Sequence, residues 1–222
     1  MTKKSQSLNV DDALTQSEAF VIKYKNKIIA ILAALIIIVG GYFLVRTLVI
    51  KPNAEKASAQ IALGQKYLQM ADYKTAINGN GKDFMGYARI ASEYGYTAGG
   101  NLAKLYLGIC YAHSGKTKDA IKSLESFSGK SDKLVSPAAM MTLANCYATD
   151  GQIDKAIETF KKAAAEADNN SISPEALIQA GILLESQNKR AEALKLYQEV
   201  KDKYAASMQS QTIDAYIERV SQ

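Results

Sequence analysis

Leu107-Gly108-Ile109-Cys110-Tyr111, followed by Gly115, Ala120 and Leu124, decides how this chain folds, because the pattern returns twice. Thirty-six residues on stand Leu143-Ala144, Tyr147, Gly151, Ala156, Phe160 and Ala163. Thirty-seven further stand Ala180-Gly181, Leu184, Asn188, Ala193 and Tyr197. Self-similarity at such a period marks a stack of supersecondary units, each too small to bury its own apolar face. Gly108 or Gly181 in a first helix, and Ala120, Ala156 or Ala193 in a second, let paired helices approach closely. Tyr111, Tyr147, Phe160 and Tyr197 supply the bulk that fills the space between units. Gly115 and Gly151 stand where the first helix must end and turn, which suits a left-handed backbone.

The pattern extends in both directions. Leu63-Gly64 and Tyr67 repeat the first-helix signature, and Tyr73 to Ile77 begins a second helix that Asn78-Gly79-Asn80-Gly81 breaks. Phe84 to Tyr94 is expected to resume as a helix. Downstream, Ile213, Tyr216, Ile217 and Val220 form one apolar stripe with Asp214, Glu218 and Arg219 outside it, as a closing helix with one wet face requires. The expected domain therefore covers 51–222: a degenerate unit at 53–95, repeats at 101–128, 137–167 and 174–203, and a capping helix at 208–221.

Over residues 101–203 this period resembles the tetratricopeptide-repeat (TPR) pattern L-G-x2-Y…A-x3-F. The fold expected is all-α, a TPR-like α-solenoid of helix-turn-helix repeats. Lys104, Met140 and Leu177 stand where the family places a large aromatic early in the first helix, and each unit exceeds the family's 34 residues.

Upstream, Ile28 to Val45 reads IIAILAALIIIVGGYFLV, eighteen residues without a charge. After Arg46, the stretch 47–50 continues the apolar character to Lys51-Pro52. About 20 apolar residues cross a hydrocarbon core as a helix, and Arg46 lies close enough to one end to reach the headgroups. Residues 28–50 are therefore read as a single transmembrane helix in contact with the lipid bilayer. A buried core helix does not need eighteen residues apolar on every side. A cleaved signal peptide has a shorter charged leader and a shorter apolar run. Residues 1–27 form a leader in which Val10, Leu14, Phe20, Val21 and Tyr24 recur at the spacing of a short amphipathic helix at the membrane surface. For residues 1–8 a disordered leader is the alternative. Lys3, Lys4, Lys23, Lys25 and Lys27 before the span, against Lys51, Lys56 and Lys66 after it, lean towards a cytoplasmic N-terminus.

The chain carries 27 Lys/Arg and 22 Asp/Glu. Residues 51–222 are almost neutral and hold no basic stripe, which argues against nucleic-acid binding. Two cysteines, Cys110 and Cys146, and one histidine, His113, are too few for an ordinary zinc site. Ser114-Gly115-Lys116-Thr117 imitates the tail of a phosphate-binding loop but lacks its first glycine, which would fall at Cys110. The Asn78–Lys82 loop could cradle an anion or simply break a helix. No catalytic residue, metal ligand or cofactor is expected, and the chain is read as a non-enzyme.

Anchor plus repeats resembles the YfgM-type family of bacterial inner-membrane proteins, which accompany the Sec translocon and periplasmic chaperones. The stretches from Tyr87 to Tyr94 and from Ala103 to Tyr111 are also similar to BamD-like and CpoB-like envelope proteins. The resemblance implies the bacterial inner membrane, with periplasmic repeats that bind other proteins or unfolded polypeptide segments. A scaffold for outer-membrane or cell-wall machinery, or a cytoplasm-facing adaptor, are the alternatives. By family offset, the binding groove is expected at Leu102, Leu105, Ile109 and Ala112, then Ala138, Met141, Asn145 and Ala148, then Glu175, Ile178, Ile182 and Glu185. Only Asn145 matches the family's carboxylate clamp. The apolar end suits extended or helical apolar segments; alternatively the protein covers it with its own first unit, or with another copy in a homo-oligomer.

Overall fold

The computed structural model describes residues 10–129 and 132–221, with side chains from residue 20 onward, as two units, Met1–Pro52 and Asn53–Gln222. The leader alternatives for residues 1–8 lie outside the described residues. So do the side chains of Val10 and Leu14, on which half of the amphipathic pattern rests.

The first unit is one long helix, α1 (Val10–Val45), followed by a π-helical turn at Arg46–Ile50. Its most apolar stretch is not buried: Ile36 and Ile37 are 72% and 73% exposed. One N-terminal helix is thus long and apolar enough to cross a membrane. The π turn has a local cause. Pro52 sits in the first turn of α2 (Lys51–Gln69), offers no N–H, and its ring crowds the carbonyl four residues back. The wider register, in which the Lys51 N–H donates to the Arg46 carbonyl, makes room for that ring.

The second unit is an α-solenoid, and no strand occurs among the described residues. After α2 come α3 (Tyr73–Asn78) and α4 (Tyr87–Glu93), then three helix pairs: α5 (Ala98–His113) with α6 (Thr117–Ser126), α7 (Val135–Thr149) with α8 (Ile153–Ala167), and α9 (Ser173–Ser186) with α10 (Arg190–Lys203). A 3-10 turn at Gln209–Gln211 leads into α11 (Ile213–Ser221).

Small residues set the spacing inside each pair. A Cβ placed on Gly181 would meet the Tyr197 ring at 2.4 Å, one on Gly64 the Tyr87 ring at 2.6 Å, and one on Gly108 the Leu124 side chain at 2.5 Å. Tyr197 therefore packs inside its own unit over Gly181, rather than between units as expected. The turn after each first helix carries one left-handed residue at equivalent positions: Ala71 (φ 55°), Gly115 (71°), Gly151 (79°) and Asn188 (60°).

In the degenerate unit the second helix is interrupted as expected, but it resumes later. Residues 84–86 are not helical; Gly86 has φ 85° and α4 begins at Tyr87. Phe84 instead turns inward, 2% exposed, and stacks on Tyr67 at 5.3 Å between ring centres. The Asn80 side chain organises this loop, donating to the Tyr67 hydroxyl (2.8 Å) and Asp83 (2.5 Å) and accepting from the Lys82 and Phe84 amides (both 3.0 Å).

The loops between pairs form a hydrogen-bonded edge. Asn53 at the start of α2 donates to the Tyr96 hydroxyl. Asn101 and Ser128 exchange two bonds of 2.8 and 3.0 Å. Asn169 donates to the Lys133 carbonyl at 3.0 Å, and Asp168 pairs with Lys203 at 2.8 Å. Asp132 caps α7 through the Leu134 and Val135 amides at 2.9 and 2.5 Å. These bonds hold its carboxyl near pKa 2, below the usual 3.8, with the Ser136 hydroxyl the largest cause.

Candidate functional site: the groove of the first helices

The expected groove positions follow three rows across α5, α7 and α9, and the rows differ in depth. Leu105 and Ile178, at equivalent places, are buried at 6% and 4%. They belong to the core rather than to an exposed groove floor. Leu105 joins Ala120, Ile121 and Leu124 of α6 and Ala139 and Tyr147 of α7, while Ile178 joins residues of α8, α10 and α11. At these two positions the side chain points at the neighbouring helices, because adjacent first helices lie close enough to share it, whereas Met141, the equivalent residue of α7, packs against the core but stays half-buried.

Leu102, Ile109, Ala112 and Met141 are half-buried, Ile182 is 36% exposed and Asn145 is exposed. Ala138 is exposed, whereas Ala148, Glu175 and Glu185 are half-buried. Glu185 is engaged, accepting from the Tyr197 hydroxyl (2.5 Å) and from Arg219 Nη2 (2.6 Å).

Between α5 and α7 these rows open a cleft of about 350 Å³ lined by Ala112, His113, Thr117, Thr142, Asn145, Cys146 and Thr149. Thr142 and Thr149 spend their hydroxyl protons on the Ala138 and Asn145 carbonyls, at 3.0 and 2.9 Å. The Asn145 carboxamide makes no side-chain bond among the described residues, so both its donors and its acceptor are available. Cys146 is buried and its thiol pKa is raised by that burial, which makes it a small apolar wall. The cleft can thus hold a strip of apolar chain and satisfy one peptide unit through Asn145, the chemistry that backbone recognition needs.

His113, Thr117, Thr142, Cys146 and Thr149 are missed by the family offset. A signal existed for Thr142, Asn145 and Thr149, which share one face of α7 at helical spacing. His113 is exposed and stacks on Tyr73 of α3 at 4.9 Å. Ser114 to Thr117 is the turn from α5 to α6, with Gly115 left-handed. In the Asn78–Lys82 loop the Lys82 amide donates to Asn80, so it is not free for an anion.

A second hollow, about 560 Å³, opens beside the α6–α7 loop and is lined by Phe127, Asp132, Met140, Lys162 and Glu166 among others. Among the described residues no cluster of three or more His, Cys, Asp or Glu could hold a metal.

Comparison with known proteins accounts for this geometry. The family described as tetratricopeptide repeat-like domain matches residues 18–222. The nearly identical TPR-like repeats of a Podosopora anserina kinesin light chain superpose with a TM-score of 0.58 at 15% identity, covering 76% of this chain and 87% of that one. MamA protein superposes with a TM-score of 0.53 at 18% identity, covering 75% and 90%. At these identities the likeness is one of fold. No curated protein sequence matches the chain. Repeats of this kind are in general non-catalytic scaffolds for protein–protein interaction. On the match over residues 18–222, the chain belongs to the tetratricopeptide repeat-like domain family.

Proposed function

We propose that this chain is a single-pass protein of the bacterial inner membrane whose periplasmic repeats bind exported polypeptides or envelope proteins, as a translocon-associated or chaperone-like adaptor. The observation that carries the reading is α1. Its most apolar 18-residue window has no residue buried against the rest of the chain, and only lipid satisfies such a surface cheaply. The family match supports it, because the matched region begins at residue 18 and so takes in the apolar helix together with the repeats. The groove supports a ligand that is extended and mostly apolar, with Ile109, Met141 and Ile182 as adaptable contacts around Asn145.

The test is photo-crosslinking in living cells from probes placed at Ile109, Met141 and Ile182, with Lys155 on the exposed face of α8 as control. Crosslinks from the three groove positions to translocon subunits, chaperones or nascent exported chains support the reading. Equal yields from Lys155 sink it. Topology is read from protease added to spheroplasts, which digests the repeats only if they face outward, and anchoring from resistance to carbonate extraction.

A further inference from the structure

The edge formed by the loops between helix pairs carries apolar side chains that no fold requirement explains. Six large apolar residues of the second unit are exposed: Met70, Tyr96, Leu134, Val135, Ile182 and Met208. Four of these lie on this one edge, with Tyr96 before α5, Leu134 and Val135 at the start of α7, and Met208 after α10. Their exposures are 58%, 62%, 46% and 80%. Bonds from Asn101 to Ser128, from Asn169 to Lys133, and from Lys203 and Tyr204 at the end of α10 to Asp168 fasten this edge from α5 to the segment before Met208.

Asn53 belongs to the same edge through its bond to Tyr96. It follows Pro52 directly, three residues after the apolar segment ends at Ile50. Three residues span at most about 11 Å, so wherever the apolar segment is embedded, this edge is tethered close to headgroup level. The other end of α2 and the turns at Ala71, Gly115, Gly151 and Asn188 lie a helix length away. For the 19 residues of α2 that is about 28 Å.

We propose that this edge is a lipid-docking surface, in which Tyr96, Leu134, Val135 and Met208 enter the boundary between headgroups and acyl chains. The proposal rests on the membrane-anchored reading above and adds to it a second lipid contact, made by the repeats themselves. Tyr suits such a boundary because its ring is apolar and its hydroxyl stays wet. Leu, Val and Met gain by leaving water. The tether removes most of the entropy of finding the surface, so a few shallow side chains suffice.

The experiment uses the full chain in vesicles of phosphatidylethanolamine and phosphatidylglycerol. An environment-sensitive fluorophore is attached at Leu134→Cys, at Met208→Cys, and at two opposite-edge controls, Met70→Cys and Lys116→Cys. Wild type serves as a labelling blank, because Cys110 and Cys146 are buried. Nitroxide-bearing lipid should quench the fluorophore at 134 and 208 several-fold more than at 70 and 116. Equal, weak quenching at all four positions in a chain that floats with the vesicles overturns the docking edge and leaves the anchor standing. A blue shift at 134 and 208 without lipid quenching means that protein covers the edge, and also overturns it. A chain that does not float overturns the anchor, and this proposal with it.

Discussion

Arg219, three residues from the C-terminus, grips Glu185 of α9 with two bonds, Nε to Oε2 at 2.9 Å and Nη2 to Oε1 at 2.6 Å. The same carboxylate accepts from Tyr197 of α10, so one acidic side chain joins α9, α10 and α11. Its pKa is lowered, first by Arg219 and then by the Tyr197 hydroxyl, against the opposing effect of burial. Arg219 is half exposed, which limits the pair to about 0.5–1 kcal/mol. Arg219→Ala should lower the melting temperature by a few degrees. A carboxylate whose folded pKa is depressed contributes above its unfolded value, and that contribution is lost as pH falls through the folded one. The difference between wild type and Arg219→Ala should therefore be constant above about pH 5 and shrink below the ordinary glutamate value of 4.5. Thermal melts across pH 3–7 check both statements; a difference that grows on acidification refutes the pairing.

Two tyrosines in equivalent surroundings separate packing from hydrogen bonding. Tyr87 and Tyr197 are both fully buried over a glycine. Tyr197 has Glu185 as acceptor, whereas the Tyr87 hydroxyl has no partner among the described residues. Removing a satisfied hydroxyl leaves an acceptor short, and removing an unsatisfied one costs almost nothing. Tyr197→Phe should cost about 1–2 kcal/mol, and Tyr87→Phe should be neutral or slightly stabilising. Urea midpoints on the two variants decide the matter.

A turn residue and a glycine inside a helix give predictions of opposite sign. Ala71 holds φ 55°, where a side chain costs about 1 kcal/mol. Ala71→Gly should stabilise by a few tenths of a kcal/mol, after allowing for the extra freedom glycine has when unfolded. Gly181→Ala should cost about 1–3 kcal/mol, because the new methyl group meets a ring that Glu185 holds in place.

Cys110 and Cys146 are free and buried, and burial raises the Cys110 thiol pKa to about 12. Neither should react with a water-soluble alkylating agent in the native protein, and both should react in denaturant. Mass spectrometry gives the count. A Cys110–Cys146 bridge would contradict the stacking of α5 on α7.

The repeat architecture was legible because Gly64, Gly108, Ala144 and Gly181 leave no room for anything larger, and the chain must return to them at each turn of the stack. The depth of individual groove positions was not. Leu105 and Ile109 stand one helical turn apart, both aliphatic, yet one is core and the other half-exposed. The difference depends on how closely α7 approaches α5, a distance that no local pattern encodes. The helix through Pro52 was also unreadable, since a proline ordinarily marks an end, and the π turn that accommodates it leaves no mark in composition. The docking edge escaped for a similar reason. Tyr96, Leu134 and Met208 are scattered in sequence and meet only because the loops bearing them are stacked.

Asn80 gives the degenerate unit a chemical clock. An asparagine followed by glycine is the pair most prone to lose its side-chain amide, since the next backbone nitrogen can attack the carboxamide unhindered. Here Gly81 follows Asn80, and the carboxamide is held by Tyr67, Asp83 and two backbone amides. While the loop is closed the attack geometry is denied. When it opens, the attack expels ammonia to form a succinimide, and water opens that ring to aspartate or isoaspartate, whose carboxylate can no longer donate to Tyr67 and repels Asp83. The loop cannot then close as before. Asn78, which Gly79 follows, is held among the described residues only by its bond to the Lys74 carbonyl at 2.9 Å, so it is Asn80, told apart from Asn78 by fragmentation, whose mass increase records how long the first unit has stood open.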